Sequence, residues 1–171
     1  MPAPKQFFIE QLVSQLRQSV SVARRAEEDA REAATAMSTE SEKKEDSRAA
    51  LEFGSMATGQ AARARKMQEE LDSLVAFSAK PLPSYHRKTP VGLGAMVDVA
   101  SNDETGHRER TFILLPVGAG TELSGPDGDG FLSVITPASP VGRALLGKRV
   151  GDTFDVQIKG EWHEWSVVDV A

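Results

Sequence analysis

The sequence predicts an α+β fold in which a long antiparallel helical hairpin precedes a small β-sheet domain. Three observations lead to this fold class. Residues 5–79 contain no proline and only two glycines, and Ala, Glu, Arg, Lys and Gln dominate them, as in helices. Pro81, Pro83 and Pro90 then follow within ten residues. Beyond them glycine and β-branched residues become frequent, which is typical of strands joined by turns.

These changes in composition divide the 171 residues into three parts. We predict an N-terminal antiparallel coiled coil over residues 1–79, a linker over 80–90 and a C-terminal domain over 91–171. With 40% apolar residues, the chain has enough material to bury a core in the last part while the first part forms paired helices.

Apolar residues in the first part recur every seven positions, as in a coiled-coil seam. The polar stretch 40–48 (ESEKKEDSR) separates two such series. Because each series needs a partner, we expect helices over about 5–38 and about 48–78 to pair antiparallel, with an acidic tip at about 39–47. A coiled coil that only dimerises the protein is the alternative interpretation. The first series is Ile9, Leu12, Leu16, Ala23, Ala26, Ala30, Ala33 and Met37, and the second is Ala50, Phe53, Ala57, Ala64, Met67, Leu71 and Leu74.

Five segments of the last part predict strands of a small, mostly antiparallel sheet. A polar stretch at 101–110 predicts the turn between the first two, and 126–130 (PDGDG) has turn chemistry. Ser139 as N-cap, Pro140 at the first helical position and Gly147 at the end predict one short helix. The candidate strands are Ala95–Ala100, Thr111–Val117, Phe131–Thr136, Phe154–Ile158 and Trp165–Val170.

Composition and charge exclude several classes of function. The formal charge of -5 argues against non-specific binding of duplex DNA, because such binding needs a basic protein surface. The absence of cysteine excludes a disulfide scaffold, a thiol nucleophile and a Cys-ligated zinc site, and it agrees with a reducing compartment. No apolar run approaches the ~20 residues that a membrane helix needs. We therefore expect a cytoplasmic protein without a membrane partner.

The segment 137–156 (PASPVGRALLGKRVGDTFDV) is the most specific motif in the chain. It resembles the C-terminal domain of the bacterial Gre transcription elongation factors. We expect Ala144, Leu145 and Leu146 to cover a sheet face, while Gly147 and Gly151 close the turns between helix and strand. The residues that match the family pattern are Ser139, Pro140, Gly142, Ala144, Leu145, Leu146, Gly147, Lys148, Val150, Gly151 and Asp152.

This resemblance implies an FKBP-like C-terminal domain joined to an N-terminal antiparallel coiled coil. It also implies an accessory factor, not an enzyme, that binds RNA polymerase through its secondary channel. Separately, we expect the chain to be a monomer. In the family, the acidic tip helps to hold a second Mg²⁺ at the polymerase active centre, so that the polymerase cleaves backtracked nascent RNA. The chain alone is expected to bind no cofactor, since this Mg²⁺ is shared with the polymerase.

The resemblance assigns the catalytic and metal-binding task to Glu42 and Glu45, with Asp46 as a further carboxylate. Carboxylates suit this task because hard Mg²⁺ prefers oxygen ligands. The tip departs from the family pattern, because Glu42 stands where the family has Asp, and Lys43 and Lys44 replace a more apolar pair. A channel-binding regulator without cleavage activity is therefore the alternative, and a coiled-coil interaction protein that never meets polymerase is a third hypothesis.

Arginines on both helices are candidates to face the RNA backbone, as basic residues on the arm do in some Gre factors. The main candidates are Arg24, Arg31 and Arg63, and the basic residues beside them are Arg25, Arg65 and Lys66. Flanking charge that alternates with glutamates along the coiled coil is the plainer interpretation, and we favour it.

Overall fold

The structure, a computed structural model, describes residues 5–40, 44–103 and 106–171, without the side chains of 38–47 and 102–103. The chain forms two compact units. The sheet unit joins Met1–Leu12 with Ser73–Ala171, and the helical unit comprises Val13–Asp72. The elements are α1 (Lys5–Glu40), α2 (Lys44–Ser78), β1 (Met96–Asp103), β2 (Gly106–Leu114), β3 (Glu122–Ser124), β4 (Phe131–Ile135), α3 (Pro140–Leu145), β5 (Thr153–Ile158) and β6 (Glu161–Val170).

The two long helices confirm the predicted hairpin. α2 begins at Lys44, four residues earlier than about 48, because the Lys, Glu and Arg side chains of this polar stretch favour helix without needing a buried face. Inside the helical unit, Arg24 of α1 donates a hydrogen bond to Gln68 of α2 at 2.7 Å, which fits antiparallel pairing. The buried side chains of its seam are Val20, Ala23, Ala30, Ala64 and Leu71.

The seam differs from the heptad prediction at two positions. Val20 is 5% exposed although it belongs to neither predicted series, and it fills the place next to the polar Ser19. Met37, the last apolar residue of the first series, is 36% exposed. The buried part of the seam therefore weakens toward the tip, where alanines leave little apolar surface to bury.

The sheet unit contains a six-stranded sheet in the order β3-β4-β2-β1-β6-β5. Its pairings are antiparallel except for β2 and β4, which run parallel. The α+β class is thus confirmed, and the sheet is mostly antiparallel, as predicted, with one parallel pairing that makes it mixed. The parallel pair arises because the chain leaves β2, forms the short β3, and returns through a turn into β4.

Two details of the strand prediction are wrong. The polar stretch 101–110 is mostly strand, since β1 and β2 continue as a hairpin from Asp98↔Thr111 to Asp103↔Gly106. The side chains of residues 106–110 are all exposed, so they show no apolar alternation by which this part of β2 could be recognised. The second detail is β3, which the sequence does not predict. Its three residues contain a single buried side chain, Leu123, and this is too short a pattern to indicate a strand.

The main cluster of buried apolar side chains in the sheet unit packs against Val141 and Ala144 of α3. It includes Val97, Phe112, Leu145, Trp165 and Val167. The N-terminal part of α1 contacts β3. There the Gln11 side-chain amide donates a hydrogen bond to Ser124 O at 3.3 Å and accepts one from Ser124 N at 2.9 Å. Within the described residues, no helix has the length and apolar character that a membrane span requires.

Candidate functional site

The predicted tip carboxylates are Glu42, Glu45 and Asp46, and they follow the end of α1 at Glu40 in the sequence. Glu45 and Asp46 occupy the first turn of α2, which begins at Lys44, and their side chains lie outside the described part of the chain. Glu42 and Lys43 lie outside the described residues altogether. The metal-binding role of Glu42 and Glu45 therefore stays a prediction.

Arg48, one turn into α2, has a described side chain. Its guanidinium Nε lies 3.9 Å from a carboxylate oxygen of Glu52, with both side chains largely exposed. An exposed pair at this spacing contributes little to stability. Its geometry nevertheless places the positive charge beside Glu52, which lies about two turns along α2 from Glu45.

The three candidate arginines lie in different surroundings within the helical unit. The Arg24 guanidinium donates to Gln68, and Arg31 forms an ion pair of 2.6 Å with Glu27 on its own helix. Arg24 lines a groove together with Arg17 and Arg25. Arg63 lines another groove, formed with Gln15, Gln18, Gln60 and other residues. Arg25 is one of the basic residues that the sequence prediction named, and Arg17 is a basic neighbour of Arg24 that it did not single out.

The family motif forms α3 and the turns around it. Ser139 is the N-cap, with an extended backbone (φ -70°, ψ 151°), and its hydroxyl oxygen accepts a hydrogen bond from Gly142 N at 3.2 Å. Pro140 begins the helix, where its missing N–H is no loss. The same hydroxyl donates to Thr136 O at 2.8 Å and accepts from Thr136 N at 3.1 Å. Ser139 therefore ties the end of β4 to the start of α3.

Gly142 is required by a close approach of two backbones. A Cβ built on Gly142 would lie 1.8 Å from Thr136 O and 2.8 Å from Ser139 Oγ. Of the three residues expected to cover the sheet, Leu145 is fully buried and Ala144 packs against the core. Leu146 does not, because it is the C-cap residue of α3 and is 48% exposed. The helix ends before a third apolar side chain turns inward.

The two glycines of the motif close turns, as predicted. Gly147 has a φ of 80° and Gly151 a φ of 92°, both in the left-handed region that favours glycine. Gly147 N donates to Val91 O at 2.8 Å, and Val91 N donates to Lys148 O at 2.8 Å. Asp152 accepts a hydrogen bond from Arg149 N on its carboxylate at 2.8 Å. These residues hold the turns in place through their backbones and contain no arrangement suited to catalysis.

Lys5 and Tyr85 form a contact that the sequence did not reveal. The Lys5 ammonium donates to Pro83 O at 3.1 Å and lies 4.8 Å from the centre of the Tyr85 ring. The Tyr85 hydroxyl donates to Leu93 O at 2.8 Å. Burial lowers the pKa of Lys5 and raises the pKa of Tyr85, because it disfavours the charged form of each group. This contact fixes the linker against the start of α1.

A metal-binding cluster of His, Asp or Glu does not occur among the described residues, a range that leaves out Glu42. The magnesium ligands predicted at the tip stay a prediction, because the side chains of Glu42, Glu45 and Asp46 lie outside the described part of the chain.

Comparisons with known proteins give several similarities. The chain is 31% identical to a protein named "Transcription elongation factor GreA" from Methylobacterium sp. (strain 4-46), over 59% of this chain and 58% of that protein. Among solved structures, GreA factor homolog 1 of Thermus thermophilus is 21% identical, with a TM-score of 0.37 over 93% of this chain and 94% of that one. A GreA/GreB factor from Nitrosomonas europaea is 24% identical, with a TM-score of 0.36 over 59% of this chain and 78% of that one.

A family model supplies the decisive comparison. The model described as "Transcription elongation factor, GreA/GreB, C-term" matches residues 86–171, which is half of the chain. This range contains the whole of the six-stranded sheet and the α3 motif. Since the sheet, the capped helix and the two glycine turns all lie within the matched range, the chain belongs to the GreA/GreB family of transcription elongation factors.

Proposed function

We propose that this chain binds RNA polymerase through the polymerase secondary channel and stimulates the polymerase to cleave backtracked nascent RNA. Family membership supports a role in transcript elongation. The chain acts as an accessory factor, because the chemistry takes place at the active centre of its partner. Arrested complexes resume synthesis after the cleavage creates a new RNA 3′ end.

The observation that carries the proposal is the pair of long helices with carboxylates at their junction. Within the helical unit, α1 and α2 each run for roughly 40 Å at ~1.5 Å per residue. Such a length suits insertion into a narrow channel, and the seam of small residues such as Ala23 and Ala64 permits close packing of the two helices. Glu45 and Asp46 then lie in the turn of α2 nearest the junction.

Glu42, Glu45 and Asp46 are the residues that would hold Mg²⁺ together with the polymerase. Their side chains supply only carboxylate oxygens, the ligand type that Mg²⁺ prefers. When bound, the metal activates water and stabilises the charge that develops on the phosphate. The contribution of this chain is to bring two or three carboxylates to a site that already contains one metal.

A second candidate function is regulation of the polymerase through the same channel without cleavage. The two lysines beside the carboxylates, Lys43 and Lys44, favour it, because positive charge next to a carboxylate weakens its attraction for a cation. Arg48 adds less to this effect, because its guanidinium lies beside Glu52. Channel binding is common to both candidates, so only the fate of the RNA separates them.

The test uses stalled, backtracked elongation complexes supplied with Mg²⁺. The wild-type chain is expected to increase cleavage at the RNA 3′ end, and the Glu42→Ala/Glu45→Ala variant is expected to fall to the background of polymerase alone. Glu69→Ala/Glu70→Ala removes the same charge far along α2 and serves as the matched control, which should retain activity. Equal cleavage by the wild type and the tip variant would contradict the proposal.

A binding assay with core polymerase separates the remaining outcomes. If the chain binds at micromolar concentration without stimulating cleavage, the regulator is correct. If Lys43→Ala/Lys44→Ala then gains cleavage activity, the lysines are the cause. A chain that does not bind core polymerase at all would leave only the coiled-coil interaction protein.

A further inference from the structure

The hairpin formed by β5 and β6 has one face in the core and one face toward solvent. Successive side chains of a strand point to opposite faces, and residues directly opposite each other on paired strands share a face. Phe154 and its partner Trp165 are buried in the core cluster. The pairs one and three positions further along β5 therefore lie on the other face, where all four side chains are exposed. We call this surface the hairpin face, and its residues are Asp155, Gln157, Trp162 and Glu164.

Trp162 presents a large apolar ring to solvent, since it is 70% exposed. In the described part of the chain, the ring–ring and ring–cation contacts involve other aromatic residues and not Trp162. Exposed tryptophans are enriched at the centres of binding interfaces, because the rigid ring buries a large area on contact. A single exposed apolar residue is ordinary on a protein surface, so its neighbours decide what it can bind.

Two carboxylates lie directly opposite each other beside this ring, because Asp155 pairs with Glu164. Val167 N donates to Asp152 O across the same two strands. Hydrogen-bonded pairs alternate with non-hydrogen-bonded ones, so Asp155↔Glu164 is of the second kind, with Cα atoms about 4.5 Å apart. Among the described residues neither carboxylate has an ion pair or a hydrogen bond. Like charges in this position are destabilising, and a cation on the hairpin face would relieve the repulsion.

The chemistry of the hairpin face favours a guanidinium over other cations. Mg²⁺ keeps its water shell and gains nothing from an indole ring. A guanidinium is weakly hydrated, stacks on aromatic rings and bonds carboxylates through parallel N–H groups.

The charge of the hairpin decides which macromolecule can carry this cation. Residues 152–170 contain five carboxylates against one lysine, so the hairpin repels nucleic acid and attracts a basic protein segment. A second copy of the chain is a poor occupant, because a symmetric contact would set the same carboxylates against each other. The five carboxylates belong to Asp152, Asp155, Glu161, Glu164 and Asp169.

We propose that the hairpin face binds an arginine side chain in a basic segment of another protein. The guanidinium stacks on the Trp162 ring, and its N–H groups donate to the carboxylates of Asp155 and Glu164, which removes their repulsion. The Gln157 amide already donates to Gly160 O at 3.2 Å, so we assign it no contact with the arginine. The surface lies in the sheet unit and involves none of the tip carboxylates, so it acts whether or not the chain stimulates cleavage.

The probe for this surface is a blocked hexapeptide of alternating arginine and glycine, titrated into the full isotope-labelled chain at low salt. A control peptide with citrulline in place of arginine keeps the size of the side chain and removes its charge. The readout is the backbone amide spectrum together with the indole N–H signals. The chain contains two tryptophans, so the buried Trp165 is an internal reference for the exposed Trp162.

The arginine peptide is expected to shift the Trp162 indole signal and the amides of residues 155–157 and 162–164, and to leave the Trp165 indole in place. Trp162→Leu and Glu164→Gln should each weaken its binding about three-fold or more. Glu161→Gln is the matched control, because it removes the same charge on the other face of β6, and it should alter binding less than about two-fold.

Urea denaturation of the free chain gives an independent measurement. Asp155→Asn and Glu164→Gln should each raise the midpoint, because each variant removes one of two opposed charges. A variant that weakens peptide binding while stabilising the free chain separates a binding role from a structural one. Equal binding by the citrulline peptide, shifts confined to other surfaces, undiminished binding by Trp162→Leu, or lowered midpoints for both charge variants would overturn the proposal.

Discussion

At the scale of single residues, Ser139 shows how the family motif works as structure. Its hydroxyl accepts hydrogen bonds from Gly142 N and Thr136 N and donates one to Thr136 O. The junction between β4 and α3 therefore depends on the hydroxyl of Ser139. The same junction excludes any Cβ at Gly142. None of these contacts involves a reacting group.

Ser139→Ala should lower the free energy of unfolding of the sheet unit by about 1–2 kcal/mol, because an N-cap and a partly buried hydroxyl are lost together. Urea denaturation followed by tryptophan fluorescence measures this change, since Trp165 lies in the core. Ser139→Thr keeps the hydroxyl and should lose less. Identical midpoints for the alanine variant and the wild type would show that the cap is dispensable.

Tyr85 provides a test at alkaline pH. Burial raises its pKa above the usual value near 10, so the native state keeps the phenol proton at a pH where the unfolded state releases it. Stability should therefore fall as the pH rises through this window, from about 10 upward. Lys5 lies against the ring and titrates in a nearby range, so Tyr85→Phe is the comparison that isolates the phenol. The variant should lose less stability than the wild type between about pH 9 and about pH 11, and parallel profiles would contradict this account.

At the scale of elements, α2 contains two glycines that nothing in its packing requires. A Cβ added at Gly54 or Gly59 would meet no atom within 4 Å. Alanine is favoured over glycine in a helix interior by about 1 kcal/mol, because glycine loses more backbone entropy. Gly54→Ala and Gly59→Ala should therefore each stabilise α2 by up to that amount, measured as slower amide exchange along the helix. Faster exchange would indicate a packing or bending role for these glycines.

The elements differ in how far the sequence predicts them. α1 and α2 are predictable because a seven-residue repeat extends over several turns, and α3 because Ser139, Pro140 and Gly147 mark its limits. The outer half of β2 is not predictable, since its side chains from Gly106 to Arg110 are exposed and show no apolar alternation. Whether Leu146 turns inward depends on where α3 ends, which the motif alone does not determine.

The residues of the candidate site also divide into those that the sequence predicts and those that it does not. The positions of the motif residues follow from local chain geometry, and the sequence predicts them well. The contact between Lys5 and Tyr85 joins two distant parts of the sequence, and no local pattern predicts such a long-range contact. The tip is predicted by its place between two helices, and its chemistry is an inference from family resemblance.

At the scale of the whole molecule, the two units bury different kinds of side chain. The seam of the helical unit is built largely from alanines, whereas the core of the sheet unit contains Val97, Phe112, Leu145, Trp165 and other large residues. Hydrophobic stabilisation scales with the apolar area removed from water, so the helical unit has less to resist local opening. Its opening should cost less free energy than that of the sheet.

Native-state hydrogen exchange of the full chain tests this difference. Amides of β1, β6 and the paired part of β2 should exchange most slowly, and those inside Val13–Asp72 at least about ten-fold faster, a difference of about 1.4 kcal/mol. The Gly54→Ala/Gly59→Ala double variant is the internal control, because it should slow exchange in the helical unit and leave the sheet unchanged. Equal protection of both units would mean that they open together as one cooperative structure. Faster exchange confined to the helices would instead show that the part of the chain proposed to enter the polymerase is held in shape by modest local interactions, and that contacts in the channel are available to stabilise it further.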